Sequence, residues 1–131
     1  MNMIERPSPN FSDRPTGTAI DLVVLHYTGM TSGGAALERL CDPAAKVSAH
    51  YLIEEDGTPY RLVAEEARAW HAGFSHWAGA TDINDRSIGI EIVNPGHEFG
   101  YCPFPEAQMK TVETLLAEIL RRHDIPAHRI V

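Results

Sequence analysis

Glu91 is the one carboxylate in an apolar stretch, residues 87–94, in which isoleucine stands at every second position from 88 to 92. This alternation predicts a β-strand with the isoleucines on one face and Gly89, Glu91 and Val93 on the other. Burying a carboxylate there is costly unless it has a partner. Glu91 therefore lies in water on an edge strand, pairs with an arginine, or belongs to a site. Gly89 favours the site, because it leaves the space beside Glu91 that a ligand or a second backbone needs.

Histidines are the second group with chemical potential, and the chain has seven. His26 ends an apolar run, residues 20–27, that predicts a strand buried on both faces. Ligands bind beyond the carboxyl ends of strands in α/β sheets, and neutral imidazole is a common zinc ligand. The structural alternative is a core histidine bonded to a backbone carbonyl. We favour the metal ligand, because Glu91 on a neighbouring strand can act as the base of a zinc hydrolase.

Two further histidines lie where a site could use them. His50 falls inside a predicted strand, where a buried, hydrogen-bonded structural role explains it at least as well. His71 follows Trp70 at a junction of strand and loop, where it could contact a substrate, stabilise a transition state, or stack on the surface. We predict mainly structural or solvent-exposed roles for the other four: His76, His97, His123 and His128. The chain has no HExxH, GxSxG, P-loop or GxGxxG motif, so spacing alone establishes no reaction.

The elements that would position these residues mix strands and helices. In chain order they are a strand at 20–27, a helix at 34–41 capped by Ser32, strands at 47–53 and 59–63 joined by an Asp56-Gly57 turn, a single helical turn at 64–69, a long loop at 70–86, the strand at 87–94, and a helix from about 105 to 123. The last helix has apolar residues at helical spacing and charges that complement its dipole. Residues 124–131 have the pattern of the start of another strand.

Composition narrows the class of function. A chain of 131 residues with 44% hydrophobic and 22% charged residues is typical of one soluble globular domain. The net charge of −7 and the lack of a basic run make nucleic acid an unexpected partner. No apolar run approaches about 18 residues, so we expect no membrane span. The first residues lack a signal-peptide core, which favours a cytoplasmic protein and leaves the envelope open.

Five segments together resemble one family. They are VVLHYT at 23–28, VSAHYLI at 47–53, DG at 56–57, WHAG at 70–73 and NDRSIGIE at 84–91. In this order, and with ordinary loop lengths between them, they are similar to the zinc-dependent N-acetylmuramoyl-L-alanine amidases of the type 2 amidase family. That family includes AmpD-like and AmiD-like amidases and the peptidoglycan recognition proteins. The resemblance covers the chain from about residue 20 to its end.

The resemblance implies a fold, a reaction and a set of site residues. The fold would be a single α/β domain at 20–131, with a central mixed β-sheet flanked by helices and an N-terminal arm at 1–19. The reaction would be the Zn²⁺-dependent hydrolysis of the amide between N-acetylmuramic acid and L-alanine in peptidoglycan or muropeptides. His26 matches the first zinc ligand and Glu91 the catalytic glutamate. We expect substrate contacts from several residues of the matched segments: Tyr27, His50, Trp70, His71 and Asn84. Trp77 would also line the groove.

The chain departs from the family at its C-terminal end. The family's other ligands, a histidine and an aspartate or cysteine, lie with a lysine in a late segment, and residues 129–131 stand where that segment would begin. We therefore expect a domain that is truncated at its C-terminal end, with His50 or His71 as the substitute ligand otherwise. Two rival functions stay open: a non-catalytic peptidoglycan-binding module, and a different metallohydrolase with His26, His50 and His71 on the metal. The sequence does not decide between intact wall and anhydro-muropeptide as the substrate.

Overall fold

The computed structural model describes residues 1–72, 76–77, 80–96 and 102–131, and of residues 76, 77, 80 and 81 it describes only the backbone. The side chains of His76, Trp77 and His97, for which we made predictions, lie outside the described residues. In the part of the chain that is described, no helix is long and apolar enough to cross a membrane.

The described residues form nine strands and two α-helices. The strands are β1 (Ile4–Glu5), β2 (Phe11–Asp13), β3 (Leu22–Tyr27), β4 (Tyr51–Ile53), β5 (Pro59–Arg61), β6 (Ala67–Ala69), β7 (His76–Trp77), β8 (Ala80–Thr81) and β9 (Ser87–Ile92), and the helices are α1 (Gly33–Leu40) and α2 (Glu106–His123). Five strands make one mixed sheet in the order β1-β5-β4-β9-β3. Strands β4, β9 and β3 are parallel neighbours, and β5 is antiparallel to β4. This sheet with its helices confirms the predicted fold.

Strand β9 separates two apolar cores. Its three isoleucines pack in a core with α2, whose buried side chains there are Val112, Leu115 and Ile119. The side chain of Val93 points to the opposite face of the sheet. It packs in a second core with side chains of α1, namely Ala36, Leu37 and Leu40. The predicted alternation of β9 is therefore confirmed. Gly89 and Glu91 share the α1 side of the sheet with Val93.

Both helices begin and end near the residues that the sequence predicts. The side chain of Ser32 accepts a hydrogen bond from the backbone N–H of Ala35 at 3.1 Å and caps α1. Helix α2 begins directly after Pro105 and ends at Asp124, which adopts a left-handed conformation with φ of 54°. Gln108 in the first turns of α2 is fully buried and donates to the carbonyls of Ile53 and Val93. Helix α2 is thus tied to the ends of β4 and β9 by polar as well as apolar contacts.

Residues 64–69 differ most from the prediction. The helical turn predicted there is wrong, because residues 67–69 form β6 and pair antiparallel with β2 of the N-terminal arm. So short a segment carries no periodicity that could reveal a partner far earlier in the chain. The long loop predicted at 70–86 likewise contains β7, β8 and a 3-10 turn at Ile83–Asp85.

The strand predicted at 47–53 is reduced to β4. Its first half is irregular because its polar groups bond to several different segments. The backbone N–H of Ser48 donates to Trp70, the hydroxyl of Ser48 donates to Asn10, and the backbone N–H of His50 donates to Gly89. These bonds attach residues 48–50 to the arm, to the segment after β6 and to β9.

Both ends of the chain extend the sheet. Strand β1 of the arm lies parallel to β5 at one edge. At the other edge Ile130 forms a parallel bridge with Val23 of β3, and Val131 exchanges backbone hydrogen bonds with Val23 and Leu25. The boundary that we predicted between an arm at 1–19 and a domain at 20–131 stays a prediction, as does the predicted C-terminal truncation.

Candidate active site

His26 and Glu91 lie opposite each other on parallel neighbouring strands. They are register partners in the pairing of β3 with β9, and hydrogen-bonded strands are about 4.8 Å apart. Glu91 turns away from the core formed with α2, because its neighbours Ile90 and Ile92 occupy that core. The structure thus brings the predicted zinc ligand and the predicted base together on the α1 side of the sheet.

Glu91 is largely buried and has no partner among the described residues. Its Oε2 atom is buried without a hydrogen bond, and no ion pair reaches its carboxylate within the described part of the chain. Burial raises the pKa of Glu91 to about 7. The alternatives of an edge strand in water and of an arginine partner are therefore wrong, since β9 lies between β4 and β3. A carboxyl group that titrates near neutral pH suits general acid–base catalysis.

His71 lies against Gly89, where no side chain stands in its way. A Cβ atom at position 89 would lie only 2.6 Å from Cδ2 of His71. The space that we attributed to a ligand or a second backbone is thus taken by an imidazole of this chain. The ring of His71 in turn contacts His26, with Nε2 of His26 3.1 Å from Nδ1 of His71.

The ring of His71 is held at both of its nitrogens. Besides His26 at Nδ1, the hydroxyl oxygen of Ser87 lies 2.9 Å from Nε2, and Ser87 also donates to the carbonyl of Ile83 at 2.7 Å. Burial, followed by the neighbouring His50 and His26 rings, lowers the pKa of His71 well below its ordinary value. Both ring nitrogens of His71 therefore have partners within the protein, and one of these partners is His26. The predicted contact of His71 with a substrate stays a prediction.

Asn84 holds the backbone on either side of the peptide bond after His71. Its side-chain oxygen accepts from the backbone N–H groups of His71 and Ala72, and its amide nitrogen donates to the carbonyl of Ala72 at 2.7 Å. The side chain is buried. These bonds occupy the amide of Asn84 within the protein, and its predicted contact with the substrate stays a prediction.

His50 has a structural role, which was one of our two interpretations of it. Its side chain is 0% exposed. Nδ1 accepts from the backbone N–H of Gly89 at 3.1 Å, and Nε2 donates to the carbonyl of Ala67 at 2.9 Å. Burial lowers the pKa of His50 to about 4, so the ring is neutral. Because both ring nitrogens have partners, the alternative with three histidine ligands does not fit the described residues. The predicted substrate contact of His50 stays a prediction.

Arg14 of the arm braces the back of the site, and sequence reasoning missed it. Its five N–H groups donate to four backbone carbonyls at 2.8–3.1 Å, those of Glu65, Asn84, Asp85 and Ser87. Burial, followed by the nearby Arg68, lowers its pKa to about 10. Nothing in the local pattern around Arg14 signals this role, because all its partners are distant in sequence.

A cavity of about 330 Å³ opens beside Glu91. Trp70 and His71 form part of its wall, and α1 contributes apolar side chains together with Arg39. The indole nitrogen of Trp70 is 3.1 Å from the hydroxyl of Ser12, which orients the ring. Tyr27, 54% exposed, lies outside the wall of this cavity and packs its ring against Gly96. Trp70 thus lines the cavity beside Glu91, and the substrate contacts predicted for Trp70 and Tyr27 stay predictions.

The site offers part of a metal-binding donor set. Nδ1 of His26 has no hydrogen bond to any described residue, and Oε2 of Glu91 is a buried oxygen without a partner. Imidazole nitrogen and carboxylate oxygen are both donors that zinc accepts, so the chemistry of these two atoms fits a cation. Among the described residues, however, no group of three or more His, Cys, Asp or Glu side chains could hold a metal ion.

Comparison with known proteins gives one consistent result. Residues 16–131 match the family Amidase_2, N-acetylmuramoyl-L-alanine amidase. The chain is 37% identical over 124 residues to the N-acetylmuramoyl-L-alanine amidase AmiD of Escherichia coli, which covers 86% of this chain and 44% of that protein. It is 33% identical over 142 residues to the 1,6-anhydro-N-acetylmuramyl-L-alanine amidase AmpD of Haemophilus influenzae, which covers 95% of this chain and 75% of that protein.

A solved structure gives the same result at the level of the fold. The complex of E. coli AmiD with the substrate anhydro-N-acetylmuramic acid-L-Ala-D-gamma-Glu-L-Lys superposes on this chain with a TM-score of 0.78 and 31% sequence identity. The match covers 93% of this chain and 56% of the AmiD chain. The chain therefore spans about half the length of AmiD and three quarters of the Haemophilus AmpD.

Proposed function

The chain belongs to the N-acetylmuramoyl-L-alanine amidase family, and we propose that it hydrolyses the amide bond between N-acetylmuramic acid and L-alanine in peptidoglycan fragments. The observation that carries the proposal is Glu91, a buried carboxylate without a partner that stands opposite His26 and beside a cavity. A group buried at such cost within a family of hydrolases is best explained by catalysis.

Zn²⁺ is the cofactor that we propose. His26 would bind it through Nδ1, and Glu91 stands on the neighbouring strand. A catalytic zinc site has three protein ligands and one open position, so the remaining ligands would come from positions outside the described residues. When bound, zinc makes water a stronger acid and polarises a carbonyl.

The chain's own residues would handle the proton and the substrate. The carboxylate of Glu91 takes a proton from the attacking water and later gives it to the nitrogen that leaves with L-alanine. The water oxygen becomes part of the new carboxyl group on the lactyl side, and L-alanine leaves as a free amine. Trp70 and the apolar side chains of α1 would bind the substrate and exclude bulk water from Glu91.

The first experiment measures release of stem peptide from an anhydro-muramoyl-peptide, with zinc and with a chelator. We expect release that requires zinc and is lost in Glu91→Gln, which keeps the shape of the side chain but cannot take up a proton. The matched control is Glu113→Gln, an exposed carboxylate on α2, which should behave like the wild-type chain. Turnover by Glu91→Gln at the wild-type rate would refute the role of Glu91.

Three further points have their own tests. If the chain binds muropeptide in the presence of a chelator and releases no stem peptide, the rival function, a non-catalytic binding module, would be favoured. Comparing an anhydro-muropeptide with intact wall tests whether the substrate is a recycled fragment. A cytoplasmic location, our expectation from the sequence, stays a prediction that fractionation of cells would test.

A further inference from the structure

A chain of hydrogen bonds behind His26 determines which of its ring nitrogens carries the proton. We propose that Ser87 and His71 are positioning residues that hold His26 in the Nε2–H tautomer, so that its Nδ1 lone pair remains the donor to a metal ion. The part about the metal rests on the proposed zinc-dependent function. The part about the tautomers concerns the metal-free chain alone and stands without it.

The first step is the hydroxyl of Ser87. It lies 2.7 Å from the carbonyl oxygen of Ile83 and 2.9 Å from Nε2 of His71. A carbonyl can only accept, and two oxygens this close without a proton between them would repel each other. The one hydroxyl proton of Ser87 therefore goes to Ile83. Towards His71 the hydroxyl oxygen must accept, and so Nε2 of His71 carries a proton.

The second step is the contact between the two imidazoles. A neutral imidazole has one N–H and one bare nitrogen. Because Nε2 of His71 is protonated, its Nδ1 is bare and accepts. Nε2 of His26, which lies 3.1 Å from that nitrogen, must then be the donor. Because the one proton of the neutral ring is then on Nε2, Nδ1 of His26 is bare. No hydrogen bond to a described residue occupies Nδ1.

The environment of His71 supports a neutral ring in this chain. Among the described residues no carboxylate is hydrogen-bonded to it, and its partners there are a hydroxyl and another imidazole. Its orientation is fixed from a different direction by Asn84, which binds the backbone of residues 71 and 72. The space for the ring exists because position 89 is glycine. The hydrogen bonds of the ring, those of the backbone and the space above Gly89 thus all hold the imidazole of His71 in the same position.

This arrangement has a consequence for metal binding. A histidine that binds a metal usually donates its second N–H to a fixed acceptor, and such partners commonly affect affinity by about 10–100-fold. Here the acceptor is a second histidine, whose own tautomer is set one step further back by Ser87. Loss of the Ser87 hydroxyl would allow both rings to shift their protons, and His26 would then carry a proton on the nitrogen that should bind.

The direct test is ¹⁵N NMR of the histidine rings in the metal-free wild-type chain at neutral pH. Long-range correlation spectra distinguish a protonated from a bare ring nitrogen. We expect protonated Nε2 and bare Nδ1 in both His26 and His71. A proton on Nδ1 of either ring, or a doubly protonated His71, would overturn the proposal. Because this test needs no substitution, it does not depend on whether a variant folds.

The second test compares Ser87→Ala with Ser8→Ala. Ser8 is a matched control, since its buried hydroxyl also donates to a carbonyl, that of Leu40, and accepts one hydrogen bond, but none of its hydrogen bonds to described residues leads to His71 or His26. We expect Ser87→Ala to lower zinc affinity about 10–100-fold and to give mixed tautomers at His26. Ser8→Ala should change neither. Unchanged tautomers in a folded Ser87→Ala would refute the role of Ser87.

The two tests separate this inference from the proposed function. If the wild-type chain shows the expected tautomers but binds no zinc, the zinc-dependent function of this chain fails and the tautomer part stands. If it binds zinc and releases stem peptide while His26 carries its proton on Nδ1 in the metal-free state, the function stands and this inference fails.

Discussion

The imidazole of His71 occupies the volume that a side chain at position 89 would fill. The two residues belong to different segments, and Gly89 is placed on β9 between Ser87, which bonds the ring of His71, and Glu91. Alternate positions of β9 thus provide a hydrogen-bond acceptor at Ser87, room for the imidazole at Gly89 and a carboxylate at Glu91. Each of the three faces the α1 side of the sheet, where His26 also lies.

We predict that Gly89→Ala displaces His71. The new Cβ atom would lie 2.6 Å from Cδ2 of the ring, and overpacking of this kind costs about 1–3 kcal/mol. Denaturant unfolding should show that loss, and ring ¹⁵N spectra should show disturbed tautomers at His26. Gly34→Ala in α1 is the control, because nothing lies within 4 Å of its added methyl group and alanine favours a helix. A Gly89→Ala variant with wild-type stability and spectra would contradict the packing described here.

We predict that Arg14→Lys destabilises the protein by about 2–4 kcal/mol. Lysine has three N–H donors at one point and cannot reach the four carbonyls that Arg14 bonds from a planar fork. Thermal and denaturant unfolding would measure the loss. Arg61→Lys, which replaces an exposed arginine near Glu5, should change stability by less than about 1 kcal/mol. Equal stability of the two variants would argue against a bracing role for Arg14.

We predict an acid-dependent loss of stability that involves Glu65. Burial alone would raise the pKa of Glu65, but hydrogen bonds from Arg122, Tyr51 and His123 outweigh it and lower the pKa from 4.5 to about 2. A carboxyl group with a lowered pKa in the folded state stabilises the protein above its unfolded pKa. This contribution is complete above about pH 4.5 and is lost as the pH falls towards 2.

Glu65→Gln tests that assignment by unfolding at a series of pH values. The variant should be less stable than the wild type by about 1–3 kcal/mol at pH 6, and the difference should shrink as the pH falls from 4.5 to 2. The neighbouring exposed carboxylate Glu66 provides the control Glu66→Gln, which should follow the wild-type curve. A difference for Glu65→Gln that is independent of pH would show that charge is not the cause.

We predict that Gln108→Met costs about 1–2 kcal/mol although the volume of the side chain hardly changes. The substitution removes the two donors that serve the carbonyls of Ile53 and Val93, and leaves these buried acceptors with less hydrogen bonding. Equilibrium unfolding would measure this loss of stability. Glu113→Met, on the exposed face of the same helix, is the control for the effect of introducing methionine. An equal effect of both substitutions would mean that the hydrogen bonds of Gln108 contribute nothing.

The parts of the fold that were predicted correctly are those in which the signal is local. Strand β9 shows period-two alternation, and α2 has both helical spacing and end signals. The apolar run of β3 predicted a strand at the right place, but the prediction that it is buried on both faces is wrong, because β3 lies at the edge of the sheet and only Leu22 and Val23 are buried. The prediction that His26 and Glu91 lie on neighbouring strands is confirmed by their register. The family inferred from five short segments is confirmed by the match of residues 16–131.

The parts that were not predicted depend on partners far away in the sequence. Strand β6 exists because the arm pairs with it, and Arg14 matters because four distant carbonyls converge on it. The histidines illustrate the same limit. His50 and His71 look alike as candidates, yet His50 bonds to β6 and β9, and His71 bonds to His26 and Ser87. Their roles depend on tertiary contacts that no local pattern encodes.

The alternation of side chains along β9 bears on how this protein can change over evolutionary time. Its isoleucines anchor the sheet to α2, whereas Glu91 on the reverse side, buried without a partner among the described residues, is a poor choice for stability alone. A mutation that strengthens packing under α2 therefore adds stability, which can offset a destabilising but useful substitution beside Glu91. Such a mutation does not alter Glu91 itself. Selection can improve stability and alter the surroundings of Glu91 through different residues of the same six-residue strand.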